Sequence, residues 1–178
     1  APGLKQPNGS VWALYLLEQA HLAPAHIPNL LRQLSQYGND DQLQRAVSAV
    51  RPRVGNEPAL AQAALLALAD GQRLRRAYPD PKASWTAWPA NYARQILVQP
   101  SAATTDQRVL ALQWAELLAL RDAVSVIAGW LGDRQQPLAV RDWALRALWR
   151  TDAAAARKAA GVLAAEGSIT RPAGFPPV

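Results

Sequence analysis

Apolar residues recur three and four positions apart along most of this chain, which is the spacing of one helical face. The segment 137–149 shows this most clearly, because at about 100° per residue its apolar positions fall into two stripes. The broader stripe comprises Val140, Trp143, Ala144, Ala147 and Leu148, and the narrower one comprises Leu138, Leu145 and Trp149. A helix with two apolar stripes needs neighbours on two sides. The pattern therefore predicts an all-α protein in which helices are stacked.

Turn and capping residues divide the remaining apolar segments into further helices. We expect Asp40 or Asp41, Thr105-Asp106, Asp122 and Asp152 to cap the helices that follow them. Pro52 is expected to end or kink the third helix, and Gly71 follows the end of the fourth. The predicted helices span residues 11–22, 25–37, 40–52, 59–69, 92–98, 105–120, 122–131, 137–149 and 152–166.

Short helices joined by a few residues are typical of stacked helical hairpins. We predict one α-helical domain over residues 1–178, an α-solenoid of four to five antiparallel hairpins with an irregular middle segment. An ordinary helix bundle is the alternative, because both obey the same local helix rules. The predicted segments are an N-terminal loop (1–10), first hairpins (11–71), an irregular Trp- and Pro-containing connection (72–105), regular repeats (106–166) and a Pro-rich extended tail (167–178).

Composition narrows the class of protein. The 178 residues are 50% hydrophobic and 18% charged, which favours a folded chain over a disordered one. The chain has no Cys, which excludes disulfides and thiolate metal sites. It also has no Met and begins at Ala1, which suggests a mature end after signal cleavage or a fragment of a longer chain. No apolar run approaches the length of a membrane span.

The C-terminal third resembles the HEAT-repeat family of helical solenoids. Arg121-Asp122-Ala123 opens one helix, and Leu131-Gly132-Asp133 closes it. Pro137, Val140 and Arg141 then begin the next helix. In that family a Pro and a Val-Arg pair mark the first helix of a repeat, and an Asp-Ala pair marks the second. The resemblance covers residues 106–166 and implies that Arg141 bonds to a neighbouring helix end or a carboxylate.

A second resemblance concerns Leu4-Lys5-Gln6-Pro7-Asn8-Gly9, which is followed at once by a predicted helix. This segment is similar to the entry of the helical region in large secreted quinoprotein-type dehydrogenases, which are often fused to a c-type cytochrome. Ser10-Val11-Trp12 stands where that family has Arg and Asp soon after the Gly, and the chain has no haem-attachment motif. The resemblance implies an extracytoplasmic context.

Candidate catalytic and metal-binding residues are few. His21 and His26 are the only histidines, and their spacing fits neither one helical face nor a metal site. No Gly-x-Ser-x-Gly elbow, dinucleotide fingerprint or phosphate-binding loop occurs. We therefore predict that the protein is not an enzyme, with no catalytic residue, metal or cofactor.

Tryptophan residues are the better candidates for a functional surface. Trp114 and Trp143 lie on the main apolar stripes of their helices, so we expect them in the core. Exposed aromatic and Arg side chains are typical anchors in protein interfaces. The candidates for binding a partner are Trp85, Trp88, Trp149, Arg146, Arg150 and Phe175.

Arginine supplies most of the net charge of +6 and the isoelectric point near 10.3. Asp142 and Arg146 are spaced as an i, i+4 surface pair. Dispersed Arg is typical of a solvated surface, whereas clustered Arg indicates binding of a polyanion. The candidates for a basic patch are Arg51, Arg53, Arg73, Arg75 and Arg76.

These patterns favour a non-catalytic protein–protein interaction scaffold, or an accessory subunit of a larger assembly. Nucleic-acid binding on an Arg-lined concave face is the alternative, and nucleic acid is the less favoured partner. A third possibility is a helical accessory domain of a secreted quinoprotein- or cytochrome-type redox enzyme. An extracytoplasmic location, periplasmic or secreted, is favoured, and a cytoplasmic fragment is left open.

Overall fold

A computed structural model describes residues 9–165, with side chains to residue 161, and this part of the chain is all-helical without a strand. Short 3-10 segments precede α2, α5, α6 and α7 at Pro24–His26, Ser84–Thr86, Pro100–Ala102 and Arg121–Ala123. The α-helices are α1 (Gly9–Glu18), α2 (Ile27–Tyr37), α3 (Asp40–Val54), α4 (Pro58–Arg75), α5 (Ala87–Val98), α6 (Thr105–Leu118), α7 (Val124–Gly132), α8 (Leu138–Thr151) and α9 (Ala153–Ala165).

The chain divides into two compact units, with the division between Pro89 and Ala90. In the first unit α1 packs against α2 and α3, and α2 packs against α4. In the second unit α8 packs against α6, α7 and α9, and α7 also contacts α9. We predicted one domain, and the division falls inside the segment 72–105 that we expected to be irregular. That the two units belong to one domain stays a prediction.

The first unit is organised around a close approach of α2 and α4. A Cβ atom on Gly71 would lie 2.5 Å from the carbonyl oxygen of Arg32 and 2.5 Å from the Cβ of Ser35, so only glycine fits. The Ser35 hydroxyl donates to the Leu68 carbonyl at 2.7 Å, and the Gln72 amide donates to the Ser35 carbonyl at 3.1 Å. Both polar side chains are buried, and these hydrogen bonds offset the cost of desolvating them.

The second unit is organised around α8, whose two apolar stripes have the neighbours that their pattern predicts. Val140, Ala144, Ala147 and Leu148 of the broader stripe are buried. Trp143, which we expected in the core, is only half-buried. The narrower stripe is divided: Leu145 is buried and Leu138 is 64% exposed, because Leu138 is the first residue of the helix.

Several predicted helix ends are wrong. The fourth helix continues to Arg75, because Gly71 serves the close approach to α2 rather than a helix end. Pro52 lies inside α3, which continues to Val54, although Pro52 has no N–H to bond the Ser48 carbonyl oxygen. Gly9 and Ser10, expected in the N-terminal loop, are the first residues of α1. Residues 1–8 of that loop and the predicted tail 167–178 lie outside the described residues.

The segment 72–105 is also more regular than predicted. It contains the last turn of α4, the twelve-residue helix α5 and two 3-10 segments. The two Trp residues and Pro89 led us to expect a loop here. Pro89 is tolerated because it lies in the first turn of α5, where a backbone N–H has no helical acceptor to lose.

The caps of three helices are one residue or more from their predicted positions. Asn39, not Asp40 or Asp41, caps α3: its side chain accepts from the Gln42 N–H at 2.9 Å, and the Gln42 side chain accepts from the Asn39 N–H. Thr104 caps α6 through the same reciprocal pair with Gln107.

Asp122 lies in the 3-10 segment before α7 and does not cap that helix. Its carboxylate accepts a hydrogen bond from Arg94 Nε at 2.7 Å instead, and this bond lowers the pKa of the Asp122 carboxyl below its usual value. Asp152, in contrast, caps α9 as predicted, because its side chain accepts from the N–H groups of Ala154 and Ala155.

Candidate functional site

One side of α1 is an exposed apolar surface. Val11, Trp12, Tyr15 and Leu16 form this surface, which we call the α1 face, and Trp12 is 61% exposed. The rings of Trp12 and Tyr15 pack edge to face with centroids 5.9 Å apart. The opposite side of the helix is buried against α2 and α3. Large aromatic side chains grouped on a surface are characteristic of sites that bind another protein.

The sequence carries a signal for the α1 face that we did not use. Helix α1 is apolar around most of its circumference, and such a helix normally lies inside a protein. Sequence periodicity does not show which of two apolar sides lacks a neighbour. Only the packing of α1 against α2 and α3 shows that the side with Trp12 and Tyr15 is open.

A groove in the first unit brings two predicted site residues together. It has a volume of about 590 Å³ and lies between α3, the first half of α4 and the segment around Ser84. Arg51 and Trp88 both line it, so one basic-patch candidate and one partner-binding candidate share a surface. Trp88 is half-buried and Arg51 is exposed. We call this surface, with Gln44, Ser48 and Pro52, the Trp88 groove.

Trp85, a predicted partner-binding residue, is instead part of the core. Its side chain is 1% exposed, and its indole N–H donates to an Asp40 carboxylate oxygen at 3.0 Å. This bond joins the segment before α5 to the first turn of α3. The prediction that Trp85 is a surface anchor is therefore wrong, because the segment folds back onto α3 and buries it.

The five basic-patch candidates do not form one uniform surface. Arg53 donates to the carbonyl oxygens of Leu17 in the last turn of α1 and of Gln19 and Leu22 after it, the shortest bond at 2.6 Å. Arg75 donates to the carbonyl oxygen of Gly38, which follows α2.

These two guanidinium groups satisfy carbonyl oxygens at helix ends, where the helix dipole also favours a cation. The remaining three candidates differ among themselves. Arg73 pairs with Asp70 at 3.6 Å, Arg76 is exposed in a left-handed backbone conformation, and Arg51 lines the Trp88 groove.

In the second unit, Arg side chains also donate to backbone carbonyl oxygens. Arg141 is buried and its Nε donates to the carbonyl oxygen of Leu131 in the last turn of α7 at 3.1 Å. The expected bond from Arg141 to a neighbouring helix end is thus confirmed. Arg108 donates to the carbonyl oxygen of Pro100 at 3.0 Å.

Two of the C-terminal partner-binding candidates, Arg146 and Trp149, have neighbours within the second unit. Arg146 pairs with Asp142 at 3.2 Å, as predicted, and also lies 5.0 Å from the centre of the Trp143 ring. Trp149 is half-buried beneath Arg157 at 5.6 Å. Arg150 is exposed at the end of α8. Phe175 lies outside the described residues.

Metal-ligating side chains are not clustered in the part of the chain that the structure describes. No three His, Cys, Asp or Glu side chains there come together as a metal site. His21 and His26 are both exposed. No helix of the described residues has the length and apolar character needed to cross a bilayer. Burial raises the pKa of Tyr92 to about 12, but its hydroxyl has no hydrogen-bond partner among the described residues.

Comparison with protein families, with characterised proteins and with solved structures found no match to this chain. The HEAT-like interpretation of residues 106–166 therefore stays a prediction, supported by the residues that carry the resemblance.

Proposed function

We propose that this protein is a non-catalytic protein–protein interaction module, acting as a scaffold or an accessory subunit of a larger assembly. The observation that carries the proposal is the α1 face. Trp12 and Tyr15 are 61% and 53% exposed, and Val11 beside them is 58% exposed. Removing apolar surface from water stabilises a complex by about 25 cal/mol per Å². Aromatic side chains have the largest apolar surfaces, so a partner that covers these two rings gains binding free energy from both.

We further propose that the helices form a HEAT-like solenoid. Within each unit, alternate helices pack on one another, α1 with α3 and α2 with α4, then α6 with α8 and α7 with α9. Packing of alternate helices is what stacked hairpins produce, since each hairpin lies on the next. The bond from Arg141 to the end of α7 also supports this architecture. The extracytoplasmic location is part of the same proposal and rests on the sequence alone.

Nucleic-acid binding is the weaker alternative. Arg53, Arg75, Arg108 and Arg141 donate to backbone carbonyl oxygens, which restrains their guanidinium groups from reaching phosphates. The geometry therefore favours a protein partner.

The proposal is tested by capture from an extract of the source cells with tagged wild-type protein and a Trp12→Ser/Tyr15→Ser variant. Leu74→Ser, which changes a 52% exposed side chain on α4, is the matched control. We expect a protein that the wild type and the control capture and the double variant does not, and that binds directly when purified. Circular dichroism verifies that the double variant is folded. Equal capture by all three proteins would contradict the proposal.

A further inference from the structure

One side of the Trp88 groove carries a positively charged side chain, Arg51. Among the described residues, the Arg51 guanidinium has no ion-pair or hydrogen-bond partner, whereas Arg53, two positions along α3, donates to three carbonyl oxygens. No Asp or Glu lines the groove in the described part of the chain. The groove is therefore electrostatically complementary to an anion.

The groove also offers an aromatic surface. Trp88 is half-buried, and Pro52 lines the same groove. The indole N–H of Trp88 has no acceptor among the described residues, in contrast to that of Trp85, which donates to Asp40. A buried indole usually has an acceptor, and a half-buried ring with a free N–H is suited to hold an apolar group and a carbonyl oxygen of a ligand.

The hydroxyl of Ser48 adds a donor to the lining, about one helical turn before Arg51 on α3. Ser48 is exposed, and its oxygen accepts from the Gln44 amide nitrogen at 3.1 Å. A backbone carbonyl oxygen of a ligand in the groove can accept a hydrogen bond from this hydroxyl.

The length of the groove matches a short peptide. Its lining follows α3 from Gln44 to Gly55, a rise of roughly 16 Å at about 1.5 Å per residue. An extended chain covers that distance in about five residues. The groove is open to solvent on one side, and its volume of about 590 Å³ is within the range of ligand sites.

We propose that the Trp88 groove binds a short extended acidic segment of a partner protein. A carboxylate of that segment pairs with Arg51, an apolar or proline side chain packs against Trp88 and Pro52, and a backbone carbonyl oxygen accepts from the Ser48 hydroxyl. Carboxylates form strong charge-assisted bonds with Arg, and proline-rich segments bind in aromatic grooves. This proposal rests on the proposed interaction function, and it specifies a second surface and the chemistry of its partner.

The test is selection of a phage-displayed library of random heptapeptides on the full chain. We expect enriched peptides that carry Asp or Glu next to proline or an apolar residue. The Arg51→Met and Trp88→Leu variants should not enrich them. Arg32→Met, which changes an exposed Arg of α2 outside the groove, is the matched control and should enrich the same peptides as the wild type.

The best peptide and its carboxamide counterpart, with Gln or Asn for the acidic residue, are then compared by fluorescence anisotropy. We expect the amide change and Arg51→Met each to weaken binding at least about tenfold, and the two together to weaken it little more than either alone. Thermal unfolding verifies that the Arg51→Met and Trp88→Leu variants are folded.

Three results would overturn the inference. The first is a set of enriched peptides without an acidic preference, and the second is enrichment that persists with Arg51→Met. The third is binding of a labelled single-stranded DNA oligonucleotide that depends on Arg51 when acidic peptides do not bind, which would make the groove a phosphate site. Each of these leaves capture through Trp12 and Tyr15 unaffected, so failure here is distinguishable from failure of the proposed function.

Discussion

Tyr92 of α5 is the residue whose ionisation the fold changes most clearly. Its hydroxyl is buried without a hydrogen-bond partner in the described structure, and burial raises its pKa to about 12. In the unfolded chain a tyrosine ionises near pH 10. Between these two values the native state holds a proton that the unfolded state has lost. The free energy of unfolding should therefore fall as the pH rises from about 10 to 12.

Tyr92→Phe should remove this alkaline loss of stability. It also deletes a buried hydroxyl that lacks a partner, so we expect the variant to be as stable as the wild type or slightly more stable at pH 7. Urea unfolding at pH 7 and pH 10.5 measures both effects. The alkaline absorbance titration of the wild type, after that of the variant is subtracted, reports on Tyr92 alone and should have its midpoint at a pH of about 12. A midpoint near 10 would show that water or another group reaches the hydroxyl.

At the scale of helices, the approach of α2 to α4 depends on Gly71. A Cβ atom there would lie 2.5 Å from a backbone oxygen of α2, and backbone cannot yield as a flexible side chain can. Gly71→Ala should therefore lower the free energy of unfolding by about 1–3 kcal/mol, although alanine is the better helix former.

Gly129 in α7 is the matched control for Gly71. A Cβ atom at Gly129 would have no atom within 4 Å, so Gly129→Ala should raise the free energy of unfolding by up to about 1 kcal/mol. Chemical denaturation of both variants measures the difference. If both substitutions stabilise the protein, α2 and α4 are not held in close contact.

Arg53 of α3 bonds to carbonyl oxygens in the last turn of α1 and in the segment that follows it. Arg53→Met should lower the free energy of unfolding by about 1.5–3 kcal/mol, because hydrogen bonds to a charged group are lost and their acceptors stay partly buried. Arg51→Met, two residues earlier on an exposed side chain, should change it by less than about 0.5 kcal/mol. Equal effects in thermal unfolding would indicate that Arg53 acts only through general charge.

At the scale of the whole molecule, the net charge of +6 overstates the basic surface that is available to a polyanion. Within residues 9–165, four Arg side chains are bonded to backbone carbonyl oxygens, and others pair with carboxylates, such as Arg94 with Asp122. We therefore expect no retention on immobilised duplex DNA at about 150 mM salt. Retention there that falls steeply as salt is raised would favour the nucleic-acid alternative.

The sequence determined the local features of this protein. Helix periodicity located most helices, the all-round apolar α6, the buried Trp114 and the two stripes of α8, because these follow from the order of side chains alone. It also identified the Asp142–Arg146 pair and the cap at Asp152, whose partners lie within four residues. For the candidate site, the sequence identified Arg51 and Trp88 as candidates, but it did not show that they line the same groove.

Only the tertiary structure decided the outcomes that depend on distant segments. Gly71 lies where α2 packs closely against α4, and Trp85 is buried because its segment folds back onto α3. Arg53 and Arg75 bond to carbonyl oxygens more than thirty residues away in sequence. The same holds for the open side of α1 and the meeting of Arg51 with Trp88. A sequence pattern shows which side chains share a helical face, but whether that face has a neighbour is decided by packing.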